Sequence, residues 1–385
     1  MAEPRVRTGN HFQIGNWAIA EGALAAGCDF AAGYPITPAS EVANYLAARL
    51  PEVGGVFIQS EDEISACCSA VGASWAGRRA MTVTSGPGIS LMQETIGFAV
   101  ATETPLVIVD VQRFGPSTGV PSIGLAADMV QVARGSHGDY QIIALAPDTP
   151  QAMFTVMIRA FDLAERFRVP VFVMADGFAG HMRERISIPE ASSIAVGSRK
   201  IAAPAATVLE RADFLDEDVA PMPVFGRGLK AHVTSSCHDA HGMRNLTDPE
   251  SMHAYSVTPV RKILKHRDEI VRVEETRTDD AELIIVSYGT VSRCGRAALE
   301  IARREGLAVG QLRLETCWPL PDREIRRAAE RAKHLLVLEN NLGQMLPYIQ
   351  ACAGDSDKVR FTGPKLLGQI QEPDDIVGTI REIMA

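Results

Sequence analysis

Asp29-Phe-Ala-Ala-Gly33-Tyr-Pro-Ile-Thr-Pro38 runs into Ala39-Ser-Glu41, and Val56-Phe-Ile-Gln-Ser60 runs into Glu61-Asp-Glu-Ile64. Each is a short apolar run that ends at a proline-rich or acidic junction and opens a helical stretch. The same unit recurs. Strands are predicted over Asp29–Gly33, Val56–Gln59, Ala80–Thr84, Leu106–Val111, Gln141–Ala146 and Val171–Ala175. Helices are predicted over Gly15–Ala26, Ala39–Arg49, Asp62–Trp75, Ser90–Ala101 and Thr149–Phe167. Strands apolar on both faces and separated by helices imply a parallel sheet covered on both sides, a doubly wound α/β domain.

Working outward, the periodicity weakens after Ile186, where Pro189, Pro204, Pro221, Pro223 and an acidic stretch at Asp213–Asp218 read as a connection with one helix from Val260 toward Val271. Regularity returns with strands at Leu283–Ser287, Ala308–Leu314 and Leu335–Leu338, and helices near Cys294–Glu305, Asp322–Ala332 and Asp375–Met384. The division this suggests is 1–190, a connecting segment 191–275, and a smaller α/β domain 276–385.

At 385 residues the chain is long enough for two cores, and 46% hydrophobic with 22% charged residues is an ordinary globular composition. A net charge of −9 without clustered Lys and Arg argues against nucleic-acid binding. No apolar run reaches the roughly 18–20 residues that span a bilayer. The first residues carry no signal-peptide core, so the cytoplasm is the expected compartment. Seven cysteines without a Cys-x-x-Cys spacing support neither a disulfide framework nor an iron-sulfur cluster held by this chain alone. Cys237-His-Asp-Ala-His241 is dense in ligand types but matches no zinc spacing, and no metal-ligating residue is assigned.

Further motifs follow in order: Thr84-Ser-Gly-Pro-Gly88, Glu103-Thr-Pro105, Gln112-Arg-Phe-Gly-Pro-Ser-Thr-Gly119, His137-Gly-Asp-Tyr140, His181-Met-Arg-Glu184 and Asn341-Leu-Gly-Gln344. Together with Gly33–Glu41 and Glu63, the chain resembles the alpha subunit of the 2-oxoacid:ferredoxin oxidoreductases over nearly its whole length. The Pro-Ser-Thr-Gly and His-Met-Arg-Glu segments are most similar to the 2-oxoglutarate-specific branch. The resemblance implies a thiamine-diphosphate-binding domain of the pyrimidine type, followed by a transketolase C-terminal-like domain. The implied reaction is oxidative decarboxylation of 2-oxoglutarate to succinyl-coenzyme A with reduction of ferredoxin. Other 2-oxoacids, the carboxylating direction and a noncatalytic scaffold stay open as alternatives.

Thiamine chemistry needs a carboxylate against the aminopyrimidine ring, in a dry pocket. The family's glutamate lies nine residues before a Gly-Ala pair, which from Gly72 points to Glu63, with Glu61 in reserve. Acids in a first helical turn also simply suit the macrodipole. Tyr34 and Pro35 at the strand end, and Gly86 and Gly88 in a turn seating the next helix, are the other implied cofactor contacts. Thr37 between two prolines, Arg113, Ser117 and Thr118 are implied to meet the substrate. A guanidinium can pair with both oxygens of a carboxylate. Thr37 is also a plausible helix cap in a rigid turn, and a strand-end arginine is more often a surface charge.

The Gly-Asp-Gly…Asn signature of a magnesium-diphosphate site is lacking; its nearest analogue is Ala175-Asp-Gly177. The resemblance therefore implies a beta subunit carrying the diphosphate and Mg2+ site and a [4Fe-4S] cluster, in an α2β2 assembly. Ferredoxin and coenzyme A would be its reaction partners.

Overall fold

A computed structural model describes residues 5–202, 218–228, 232–239 and 242–385. Pro204, the acidic residues at 213–217 and His241 lie outside them. In chain order the first part comprises β1 (Gly9–Ile14), α1 (Gly15–Ala25), β2 (Phe30–Gly33), α2 (Ser40–Glu52), β3 (Val56–Gln59), α3 (Glu63–Trp75), β4 (Ala80–Thr84), α4 (Gly86–Ala101) and β5 (Leu106–Phe114). It continues with β6 (Val120–Gly124), α5 (Met129–Arg134), β7 (Ile143–Leu145), α6 (Pro150–Phe167), β8 (Pro170–Asp176), α7 (Gly177–His181) and β9 (Arg183–Ile188). The strands β7-β8-β5-β4-β2-β3 are parallel neighbours in one sheet, and β6 folds back on β5. This is the doubly wound architecture read from the apolar runs.

Because side chains alternate along a strand, β5 feeds two cores. Val107, Val109 and Val111 pack with Ile19, Leu24, Leu46, Phe154 and Phe161 of α1, α2 and α6. Leu106 and Ile108 turn the other way, toward Trp75, Ile89, Met92 and Ile96 of α3 and α4. Asp110 stands in that second row, fully buried.

The connection carries α8 (Pro249–Lys265) and α9 (Arg267–Ile270). The last part is β10 (Val273–Thr276), β11 (Leu283–Ser287), α10 (Val291–Arg304), β12 (Val309–Leu314), β13 (Thr316–Trp318), α11 (Asp322–Arg331), β14 (His334–Leu338), α12 (Leu346–Ala353), β15 (Val359–Thr362) and α13 (Pro373–Met384). Its sheet runs β10-β12-β11-β14-β15. Strand β13 leaves that sheet and pairs antiparallel with β7, at the edge of the first one. Ile284, Val286, Leu312, Leu335 and Val337 belong to the same apolar cluster as the α3 and α4 face. The two parts therefore share one core.

Several elements differ from the sequence reading. Helix α4 starts at Gly86, so Gly86-Pro-Gly88 is its first turn and not a separate turn ahead of Ser90. Proline is accommodated there because first-turn N–H groups have no intrahelical partner. Helix α8 begins at Pro249, well before Val260, because Asp248 caps it by accepting from the Glu250 and Ser251 N–H groups at 3.3 and 3.0 Å. Strands β1 and β9 form a separate antiparallel pair.

Buried ion pairs fasten the connection to the first part. Arg199 is 7% exposed and its guanidinium grips Glu165 through both carboxylate oxygens, with further donation to the Ser74 and Arg78 carbonyls at 2.8 Å each. Lys262 Nζ donates to Glu103 Oε2 at 2.5 Å and to the Arg168 carbonyl at 3.0 Å. Removing one member of a buried pair strands the other charge. Arg199→Leu is thus expected to destabilise the chain by about 3–5 kcal/mol. Urea denaturation checks this, and adding Glu165→Gln should recover a large part of the loss.

Candidate active site

Parallel strands deliver their C-terminal ends to one side of the sheet, where open α/β sheets bind ligands. The ends of β2, β3, β4 and β5 and the segments that leave them meet there, and they carry every residue assigned from the sequence to cofactor or substrate. Glu63 opens α3, whose cap is Asp62 accepting from the Ser65 N–H at 2.7 Å. Glu63 is buried at 4% exposure, whereas Glu61 is exposed. A Cβ on Gly88 would lie 1.9 Å from Thr84 Oγ1 and 2.7 Å from Glu63 Cγ. The bare glycine lets the first turn of α4 close onto the Glu63 side chain. Gly86 is less tightly constrained, since a Cβ there would stand 3.2 Å from an oxygen of Asp128.

The loop Tyr34–Pro38 is tied down from behind by Asn16, whose amide donates to the Pro38 carbonyl at 2.8 Å and to Glu41 at 3.1 Å. Tyr34, Pro35 and Thr37 are exposed. Arg113, at the end of β5, is only 7% exposed. Its two terminal nitrogens donate to the Thr37 carbonyl at 2.8 Å and the Thr118 carbonyl at 2.9 Å. Burial lowers its pKa, against the opposing fields of Asp128, Glu63 and Asp110. Thus Arg113 joins the two loops expected to meet a substrate, but through their backbone carbonyls. The motifs pointed to these residues meeting, and nothing in them pointed to that engagement. Beyond Arg113, Ser117 adopts φ +57°, and Gly119 adopts φ +54° where a Cβ would meet the Phe114 carbonyl oxygen at 1.8 Å. Only glycine fits that bend.

A cleft of about 570 Å³ opens beside these loops. Gly86, Arg113 and Ser117 line it from the first part, and Asn341, Gln344 and Leu367 from the second. Glu63, Tyr34, Pro35 and Thr37 do not line it. The second part is held in place by Asn341, which donates to the Ala126 carbonyl at 2.6 Å and the Tyr288 hydroxyl at 2.9 Å, and by Gln344 on the Ala127 carbonyl. Asn341-Leu-Gly-Gln344 was visible as a motif, yet nothing in the sequence placed it at the cleft.

Two carboxylates were missed altogether. Asp110 lies beneath the first turn of α4, its carboxyl beside that of Asp128, a wall of the cleft. Burial, then the neighbouring charge of Asp128, raise Asp110 well above the usual carboxylate range, and burial pushes Asp128 up to about 6. A signal existed: Asp110 is the lone acid in Leu106-Val-Ile-Val-Asp-Val111, and an acid in an apolar strand is buried only with a partner.

The residues fit the aminopyrimidine end of thiamine diphosphate. Glu63, a largely buried carboxylate, is held beside a glycine that leaves room for it. They do not provide a diphosphate site at Ala175-Asp-Gly177. Asp176 is 3% exposed, caps α7 by accepting from the Ala179 N–H at 3.0 Å, and accepts from the Thr290 N–H at 3.4 Å. Among the described residues no group of three or more His, Cys, Asp or Glu is placed to hold a metal ion. His238 of the Cys-His-Asp segment packs edge-on against Tyr255 and bonds the Ser236 carbonyl. Among the same residues, no helix is long and apolar enough to cross a membrane.

Residues 21–257 match the sequence model of the pyruvate flavodoxin/ferredoxin oxidoreductase thiamine-diphosphate-binding domain, and residues 281–376 match that of pyruvate:ferredoxin oxidoreductase core domain II. The 2-oxoglutarate synthase subunit KorA of Methanothermobacter thermautotrophicus is 48% identical, over 97% of this chain and 98% of that protein. The solved 2-oxoglutarate:ferredoxin oxidoreductase of Magnetococcus marinus, with 2-oxoglutarate, coenzyme A and succinyl-CoA bound, superposes with a TM-score of 0.91 at 30% identity. That match covers 98% of this chain, which spans 66% of the length of the solved one. A split-gene transketolase, at 12% identity and a TM-score of 0.54 over 96% of this chain and 95% of that one, shares the fold alone. With two consecutive domain matches and near-full-length identity to such a subunit, the chain belongs to the 2-oxoacid:ferredoxin oxidoreductase family.

Proposed function

We propose that this chain is the alpha subunit of a 2-oxoglutarate:ferredoxin oxidoreductase. It would supply the aminopyrimidine side of a thiamine-diphosphate site and the anchor for the 2-oxoacid carboxylate. The observation that carries the reading is Glu63, a carboxylate at 4% exposure on the first turn of a helix, seated against Gly88. When bound, thiamine diphosphate supplies the carbon nucleophile that attacks the oxo group. The task of Glu63 is to hold negative charge at one pyrimidine nitrogen and so move a proton within that ring. Arg113 brings positive charge to the cleft mouth. Two of its N–H donors are engaged by Thr37 and Thr118, so a carboxylate would take the remaining donors or displace one carbonyl.

A partner subunit completes the reading. Asp176 is committed to α7 and Thr290, which supports a diphosphate and Mg2+ site on the beta subunit, together with a [4Fe-4S] cluster that passes electrons to ferredoxin. The exposed apolar residues Tyr34, Val56, Ile58, Ile64 and Leu91 lie just after β2 and on the edge strand β3, α3 and α4, and suit a face covered in an α2β2 assembly. Coenzyme A would accept the succinyl group. The cytoplasm is the compartment where reduced ferredoxin would be used.

The complex with its partner subunit, assayed with a panel of 2-oxoacids, coenzyme A and a low-potential acceptor, is expected to prefer 2-oxoglutarate. Glu63→Gln should leave assembly intact and cut kcat by at least about a hundredfold, the usual scale of lost acid-base catalysis. Full turnover by that variant would remove Glu63 from the mechanism. Arg113→Lys keeps the charge but loses the planar fork, and kcat/KM for the 2-oxoacid should fall by about 1–3 kcal/mol in transition-state terms while cofactor affinity holds. Calorimetry on the isolated chain should detect no magnesium-dependent thiamine diphosphate binding. Tight binding without a partner would overturn the split site.

A further inference from the structure

The chemistry described above uses Glu63 and Arg113 and leaves the Asp110 and Asp128 carboxylates without a task. Both are held in place by the fold. Asp110 is on β5, on the same strand as Arg113 and facing α4, and its neighbour on that side is the Gly86 N–H. Asp128 precedes α5, and its own N–H is fixed by Gln112 Oε1 at 3.0 Å. Both oxygens of Asp110 and one of Asp128 are buried without a well-aligned donor. Two carboxylates in contact cannot both stay ionised at that depth, and a proton held between them provides the missing donor. The charged groups facing the pair are Arg113, from β5, and, acting on Arg113 from α3, Glu63.

We propose that Asp110 and Asp128 share one proton at neutral pH and act as positioning residues for Arg113, setting a single negative charge beneath the guanidinium while the substrate carboxylate binds. The inference rests on the reading of Arg113 as the carboxylate anchor. With one proton the pair and Arg113 are together neutral, and an incoming anion finds usable donors. Loss of that proton leaves two negative charges behind one cation and repels the anionic substrate. A second proton leaves a buried guanidinium with no counter-charge from the pair, which draws it inward to its carbonyls. The pair therefore sets the pH window in which Arg113 accepts a carboxylate. It takes no part in bond making.

The test has two arms on the complex with its partner subunit. Infrared spectra at neutral pH should show a protonated-carboxyl stretch that shifts on 13C-aspartate labelling and is lost in both Asp110→Asn and Asp128→Asn. If a variant fails to fold, absence of any labelled band in the wild-type complex still overturns the proposal. In the second arm, the wild-type KM for the 2-oxoacid should rise on the alkaline side by up to about tenfold per pH unit, the slope of one proton. Each single variant should lose that limb, since one carboxylate remains and has no shared proton to release. A missing aspartate band overturns the proposal, as does an alkaline limb retained in both variants. A wild-type complex idle toward 2-oxoglutarate but active on another 2-oxoacid revises only the substrate, and the pH series is then read with that acid.

Discussion

A buried guanidinium is the joint on which the site turns. Moving Arg113 out of water costs several kcal/mol unless donors and charge are answered nearby. The fold answers them with two loop carbonyls and the Asp110 and Asp128 pair. Each answer fixes a piece of the site. The Thr37 carbonyl fixes the loop after β2, and the Thr118 carbonyl fixes the bend after β5 that only Gly119 can make. The acid pair sets where the first turn of α4 can lie, because Gly86 rests directly against Asp128. Helix α4 in turn brings Gly88 onto Glu63. The catalytic carboxylate proposed here and the substrate anchor are therefore positioned by one chain of contacts, although only Arg113 lines the cleft.

The second part of the chain does more than extend the molecule. Its loop at Asn341 and Gln344 grips the Ala126 and Ala127 carbonyls, immediately before Asp128, and forms the opposite wall of the cleft. Trp318 Nε1 donates to the Met129 carbonyl at 2.7 Å, just after Asp128, while β13 extends the first sheet. Asp128 is thereby held between two anchors supplied by the other part. The smaller α/β domain thus also fixes the acid pair of the site.

What the sequence disclosed follows from what each element buries. β2, β4, β5 and β8 are covered on both faces and read as continuous apolar runs, so the parallel sheet was legible. β1, read as Gly9-Asn-His-Phe-Gln-Ile14, exposes Phe12 and alternates too weakly to stand out, and β13 is three residues whose partner lies far away in sequence. Pro249 and Asp248 are a readable start for α8, yet the sequence reading began that helix at Val260; Pro259, just before it, lies inside the helix. The candidate residues were legible as members of motifs. Their division between a buried carboxylate and a separate cleft was not, because it depends on the path of α4 between them.

Glu63 shows why part of this site is better understood as half of a larger one. Several interior carboxylates elsewhere among the described residues are answered from within the chain: Glu165 by Arg199, Glu103 by Lys262, Glu339 by the Tyr288 hydroxyl at 2.5 Å, and Asp176 by a helix cap. Glu63 sits at comparable depth and acts on Arg113 through its charge, but that guanidinium donates to carbonyls instead. A chain selected for stability alone would gain by filling or neutralising such a position. Retaining a carboxylate there makes physical sense when its partner arrives from outside the chain. A protonatable ring nitrogen, brought in by a ligand shared with a second subunit, meets that requirement without any change in the fold.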